Sequence, residues 1–145
     1  MNNIEKIIGY LSDARPEHKI AGIIALNSII NSQKLDAEAI ADVVPMALNM
    51  VEPSFVIRMI ETEDLNGKSV VVQSAGLNFM VIACNETELA KKFLPFTSGI
   101  VKGITSFSNI SIKDQCVVAL KLLALTTGKR GRDIVLESLL NVVRY

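Results

Sequence analysis

The sequence predicts an all-α fold: a right-handed armadillo/HEAT-like α-solenoid of about three helix pairs forming a single domain over residues 1–145. Three observations carry that expectation. Apolar residues recur at helical rather than strand spacing along nearly the whole chain. The hydrophobic half of the composition is aliphatic, with only seven aromatic residues and no Trp. A similar helix pair returns at offsets of about 42–50 residues, close to the roughly 40–47-residue period of HEAT and armadillo repeats.

Each element has a local reason. Ile4, Ile7, Ile8 and Leu11 follow the i, i+3, i+4, i+7 template of an amphipathic helix. The run Ser12-Asp13-Ala14-Arg15-Pro16 breaks it, and Pro16 suits the first position of the next helix, whose orphan N–H it does not need. A broad apolar face from Ile20 to Ile30 extends that helix to about Ser32. Asp36 is the expected cap of a third helix through Val51, interrupted or kinked at Pro45. Pro53 opens a short helix to about Glu61, and Leu65-Asn66-Gly67-Lys68 is a loop. Ser69 is the expected cap of a helix to Cys84, and a further helix is expected from Glu86 past Pro95 to Phe107. Ser111 is the expected cap of a helix ending at Gly128, a residue suited to the left-handed C′ position. The last helix is expected from Arg132 to the end. Val70-Val71-Val72 and Val142-Val143 have strand-like composition, but the apolar segments are too long and do not alternate.

The expected pairs are 16–51, 69–107 and 111–145. Their second helices align Val44-Pro45-Met46-Ala47 with Leu94-Pro95-Phe96-Thr97 and Leu136-Glu137-Ser138-Leu139. Their first helices align Ala21-Gly22, Ala75-Gly76 and Ala119-Leu120, small residues that let helices approach closely. One pair cannot bury both of its faces, so stacking builds the core, with Leu77, Met80, Leu120 and Leu123 inside. In the last helix the stripe Leu136, Leu139, Leu140 and Val143 is expected to pack inward. Arg132, Asp133, Glu137, Asn141 and Arg144 then face out, and Val135, Val142 and Tyr145 form an apolar flank. That flank is the candidate interface, for self-association or for the next repeat of a longer protein.

Composition excludes several function classes. High hydrophobicity with zero formal net charge rules out intrinsic disorder and gives no global pull toward nucleic acid or a membrane surface. The charge is unevenly spread, with ten acids and six bases in residues 1–72 against five and nine in 73–145. An early acid and no long apolar run make the N-terminus unlike a signal peptide. The stretch Val70–Cys84 is too short and polar to span a bilayer. Cys84 and Cys116 sit in aliphatic runs and read as buried thiols; a disulfide between them, like use of the sequons at Asn85 and Asn109, requires a secretory route. The chain reads as cytoplasmic.

Little chemistry is written in the sequence. His18, Cys84 and Cys116 have none of the short spacings of zinc ligands, so no metal or other cofactor is expected. His18 would have to serve any Ser–His or Cys–His nucleophile, and its position after Pro16-Glu17 reads more simply as an exposed first-turn residue. Asn66-Gly67-Lys68-Ser69 matches the end of a P-loop, but Thr62 stands where the first glycine belongs and the preceding run is acidic. Gly128-Lys129-Arg130-Gly131-Arg132 is the densest charge cluster, and Lys129, Arg130 and Arg132 are candidate anion or partner contacts. The plainer reading is that these bases answer the carbonyls and dipole of the helix before them. Lys91, Lys92 and Lys113 are candidates for the same side.

Several segments, read in order, resemble the neurochondrin family of armadillo-like proteins: Ile4–Ala14 followed by Lys19–Leu26; Phe55-Val56-Ile57-Arg58-Met59-Ile60; Ala75–Phe79 through Ala83–Ala90; and Asp114–Leu120 with Thr126–Arg132. The resemblance implies a cytosolic, non-enzymatic interaction protein, much longer than this chain, and it carries over no catalytic residue. The leading expectation is therefore a helical-repeat scaffold for protein–protein interaction. The alternative is an anion-, phosphate- or nucleic-acid-binding helical module using residues 128–132. An importin- or catenin-like groove would repeat asparagines, yet Asn27 aligns with Val81 and Leu125.

Overall fold

The computed structural model describes residues 3–32, 37–62 and 69–143, and every regular element among them is helical. The elements are α1 (Asn3–Ser12), α2 (Pro16–Asn31), α3 (Ala37–Asn49), α4 (Pro53–Glu61), α5 (Ser69–Ala83), α6 (Thr87–Phe93), α7 (Thr97–Ser106), α8 (Ile110–Thr126) and α9 (Gly128–Val143), with a 3-10 turn, Leu94–Phe96, between α6 and α7. They group into two compact units, residues 1–52 and 53–145.

In the first unit α1 packs along α2. Pro16 begins α2 as expected, and Gly22 is where the two helices meet: a Cβ there would lie 3.0 Å from Leu11 Cδ2. Asp13 fixes the turn between them. Its Oδ1 accepts from the Arg15 backbone N–H at 2.9 Å, and its Oδ2 pairs with the Arg15 guanidinium at 2.8 Å. That guanidinium holds the Asp13 carboxyl well below the usual carboxylate range. In α3 the helix continues through Pro45, with Val44, Ala47 and Leu48 buried at helical spacing and Val51 buried just beyond its end. Asp36, the expected cap, lies outside the described residues.

In the second unit α5 packs chiefly on α4 and α8, α7 on α8 and α9, and α8 on α9. Buried and half-buried polar groups tie these helices together. Gln73 Nε2 donates to the Ile60 carbonyl at 2.8 Å, linking α5 to the end of α4, and the Ser74 hydroxyl donates to Gln115 Oε1 at 3.0 Å, linking α5 to α8. Leu77, Met80, Leu120 and Leu123 are buried as expected. Cys84 and Cys116 are buried free thiols.

Three local readings need correction. Pro95, which lacks an N–H to donate, splits the single helix expected over Glu86–Phe107 into α6, the 3-10 turn and α7. The cap of α8 is Asn109, whose Oδ1 accepts from the Ile112 N–H at 3.1 Å; Ser111 lies inside the helix. Gly128 does take the left-handed C′ conformation, φ 75°, but α9 starts at once, so residues 129–132 are helix and not loop.

The alignment expected for residues 111–145 also shifts register. Burial equates Gly22, Ile23 and Leu26 with Gly76, Leu77 and Met80 and with Ala119, Leu120 and Leu123, one residue earlier in α8 than the alignment through Leu125. In α9 the same step makes Val135, not Leu136, the counterpart of the buried Val44. One residue turns a helix by about 100°. The expected inward stripe therefore points outward: Leu136, Leu139 and Leu140 are 56%, 39% and 44% exposed, whereas Val135, assigned to the outer flank, is 7% exposed. Val142 is half-buried, and Tyr145 lies outside the described residues.

Candidate functional site

Two surfaces of the second unit stand out, both built by α9. The first is its outward side. Leu136, Leu139 and Leu140 share one arc of the helix, together with the exposed Arg132 and Lys129. On α8, Ile110, Val117, Val118 and Leu125 are likewise exposed, interspersed with Asp114 and Lys121. Solvent-facing aliphatic side chains singly need no explanation; a set of them on two consecutive packed helices does.

The second is a cleft of about 710 Å³ on the other side of α9. Lys91 of α6, Leu94 and Pro95 of the 3-10 turn, and Thr97 and Ser98 of α7 form one wall; Thr127, Arg130, Ile134 and Ser138 form the other. The helix break at Pro95 shapes the first wall, since a continuous helix would carry Leu94 and Ser98 on one cylinder. Next to Arg130, Gly131 is a steric requirement. A Cβ there would run into the Thr127 side chain, whose hydroxyl donates to the Leu123 carbonyl at 2.6 Å. Both glycines that flank the basic residues thus have packing or backbone roles and do not form a phosphate cradle.

The three candidate bases are separated by the helix they share. All are exposed, but Arg130 alone of the three lines the cleft; Arg132 lies about 160° around α9 from it, on the apolar side. Of the three lysines named as candidates for the same side, Lys91 joins Arg130 in the cleft, and Lys92 and Lys113 do not line it. Lys91 also makes an exposed pair with Glu88, Nζ to Oε1 3.2 Å. The expected interaction of the bases with the end of α8 is not formed by any hydrogen bond among the described residues; the α8 end is closed by Thr127 and Gly128. Sequence reasoning missed Ser98, Ile134 and Ser138, which carry no motif and are assembled by the packing of α7 on α9.

A smaller cleft, about 600 Å³, adjoins at Ser98 and is lined by Glu61, Lys102 and Phe107 among others. Its charges are of opposite sign, so it has no preference for an anion. His18 sits in the first turn of α2, edge-on to Tyr10 with centroids 5.5 Å apart and Nδ1 3.1 Å from Asp13 Oδ2, a contact that secures the α1–α2 turn. Burial pushes the Cys84 thiol up to about 12 and Cys116 up to about 11, which suppresses the nucleophilic thiolate. Among the described residues no cluster of three His, Cys, Asp or Glu side chains could hold a metal, and no helix is long and apolar enough to cross a membrane. No protein-family model, curated protein or solved structure matches this chain.

Proposed function

We propose that this chain is an armadillo/HEAT-like helical-repeat module that acts by binding another protein and not by catalysis, with the outward side of α8 and α9 as its docking face. One observation carries the reading: Leu136, Leu139 and Leu140 lie exposed on one arc of α9, and Val117, Val118 and Leu125 are exposed on α8, the helix packed against it. Leaving such side chains in water forgoes about 1.5–3 kcal/mol for each, a loss that a partner helix would recover. The neurochondrin-like order of segments supports the same class, an interaction scaffold in which one helix pair stacks on the next. The rotation of α9 moves this face from the flank of Val135, Val142 and Tyr145 to the leucine stripe.

Sedimentation velocity on the chain and on a Leu136→Glu/Leu140→Glu variant tests the reading. The expected result is concentration-dependent association that the variant abolishes at unchanged helicity. A monomer at every concentration, with solubility and stability indifferent to the two charges, would tell against an apolar docking face there.

A further inference from the structure

We infer that the cleft between the 3-10 turn and α9 is a binding site for an acidic peptide segment, with Arg130 and Lys91 taking its carboxylates and Leu94, Pro95 and Ile134 bedding an adjacent apolar side chain. The site is separate from the leucine face and stands whether or not that face binds a partner.

The first argument is charge. The cleft wall holds two cations from different elements and no acidic side chain, in a chain whose formal net charge is zero. Arg130 makes no ion pair or hydrogen bond among the described residues. Its own helix does not account for it either: α9 has no acid in its first turn, and a helix start disfavours cations. The partner of Lys91, Glu88, is an exposed neighbour three residues away on the same helix, and such pairs are weak enough to exchange for a better carboxylate.

The second argument is the supply of donors. The Thr97 and Thr127 hydroxyls are committed to the Leu94 and Leu123 carbonyls, at 2.8 and 2.6 Å. Ser98 and Ser138 have no such bond among the described residues, so their protons are available to a ligand oxygen. Cations and hydroxyls then converge from both walls, and a guanidinium takes a carboxylate in a two-pronged, charge-assisted contact.

The third is size and lining. A cleft of about 710 Å³ is far larger than an inorganic anion fills, and falls within the roughly 300–1,000 Å³ of sites that hold organic ligands. Its walls include Leu94, Pro95 and Ile134, which offer nothing to a bare anion but suit a side chain next to an acid. A nucleic-acid backbone fits less well, because Lys129 and Arg132 turn away from Arg130 and the bases form no continuous track.

The experiment uses a short fluorescein-labelled peptide alternating Glu and Leu, its Gln-for-Glu counterpart, inorganic phosphate as competitor, phosphatidylserine-containing vesicles and duplex DNA. Fluorescence anisotropy should show salt-sensitive binding of the Glu peptide and at least tenfold weaker binding of the Gln peptide, about what the loss of charge-assisted hydrogen bonds brings. Arg130→Ala should weaken the Glu peptide by about tenfold, while Arg132→Ala, on the far side of the same helix, should change it less than about twofold. Circular dichroism confirms that both exposed-site variants remain folded. Equal binding of the Glu and Gln peptides, equal losses in the two Arg variants, or no binding up to millimolar peptide would each overturn the site. Preference for phosphate, vesicles or DNA over the peptide would overturn the acidic-peptide assignment.

Discussion

Gly76 of α5 stands against Met59 of α4 so closely that a Cβ on Gly76 would lie 3.1 Å from the Met59 Cβ and 3.2 Å from the Val56 backbone oxygen. That approach joins the two helices, and the atoms opposed to it are near-backbone ones that cannot swing aside. An interior Gly→Ala change in a helix ordinarily gains about 0.5–1 kcal/mol from propensity. Here crowding outweighs that gain. Gly76→Ala should lose about 1 kcal/mol and Gly76→Val about 2–3 kcal/mol. Gly9, in the middle of α1 with nothing within 4 Å of its Cβ position, is the control: Gly9→Ala should stabilise by about 0.5–1 kcal/mol. Urea unfolding of the three variants checks the sign at each site, and a stabilised Gly76→Ala would mean that α4 and α5 are less closely packed.

The register of α9 is the sharpest test of the fold. Val135→Asp places a charge at a position 7% exposed and should cost on the order of 3 kcal/mol or more, whereas Leu136→Asp should cost about 0.5 kcal/mol or less. The register aligned on Leu136, with the leucine stripe inward, gives the reverse order. Leu77→Ala and Leu120→Ala, buried under either register, should each cost about 2–5 kcal/mol. Chemical denaturation of the four proteins separates the two arrangements.

That contrast also shows what a sequence can and cannot tell. The helices, the Pro16 start, the C′ glycine at 128 and the core residues Leu77, Met80, Leu120 and Leu123 were legible, because proline, glycine and 3.6-residue periodicity act locally. Rotation of α9 was not. Ile134, Val135, Leu136, Leu139, Leu140 and Val142 spread apolar groups over about 240° of the helix circumference, so hydrophobicity alone leaves two faces nearly equivalent. Packing decides between them, and it leaves Val135 buried and Leu136 in solvent. The cleft was half legible. Arg130 and Lys91 stood out as charges, whereas Ser98, Ile134 and Ser138 meet them through the tertiary packing of α7 on α9.

Cys84 and Cys116 should be silent in the native protein. With both thiols buried and pushed up to about 12 and 11, almost no thiolate exists at neutral pH, and thiolate is the reacting form. Ellman's reagent at pH 8 should label neither quickly in buffer and both at once in guanidinium, at a rate in buffer limited by opening of the fold. Fast labelling of either thiol in buffer would show that α5 or α8 opens locally.

Asp13 should give the α1–α2 turn a measurable acid dependence. Arg15 binds its carboxylate through side-chain and backbone hydrogen bonds, with His18 Nδ1 also 3.1 Å away, so the folded carboxyl titrates below its ordinary value of 3.8. A group whose folded value is depressed contributes stability above its unfolded value and loses it as pH falls through the folded one. The contribution of Asp13 is therefore full above about pH 5, and it declines as pH falls from about 4 toward the depressed folded value. Asp13→Asn keeps an oxygen to accept the Arg15 N–H but removes the charge. The difference in urea midpoint between the two proteins should be largest at neutral pH, shrink steadily below about pH 4, and fall with added salt, because the pair is partly exposed. A difference that persists unchanged at low pH would assign the role of Asp13 to its turn geometry and not to its charge.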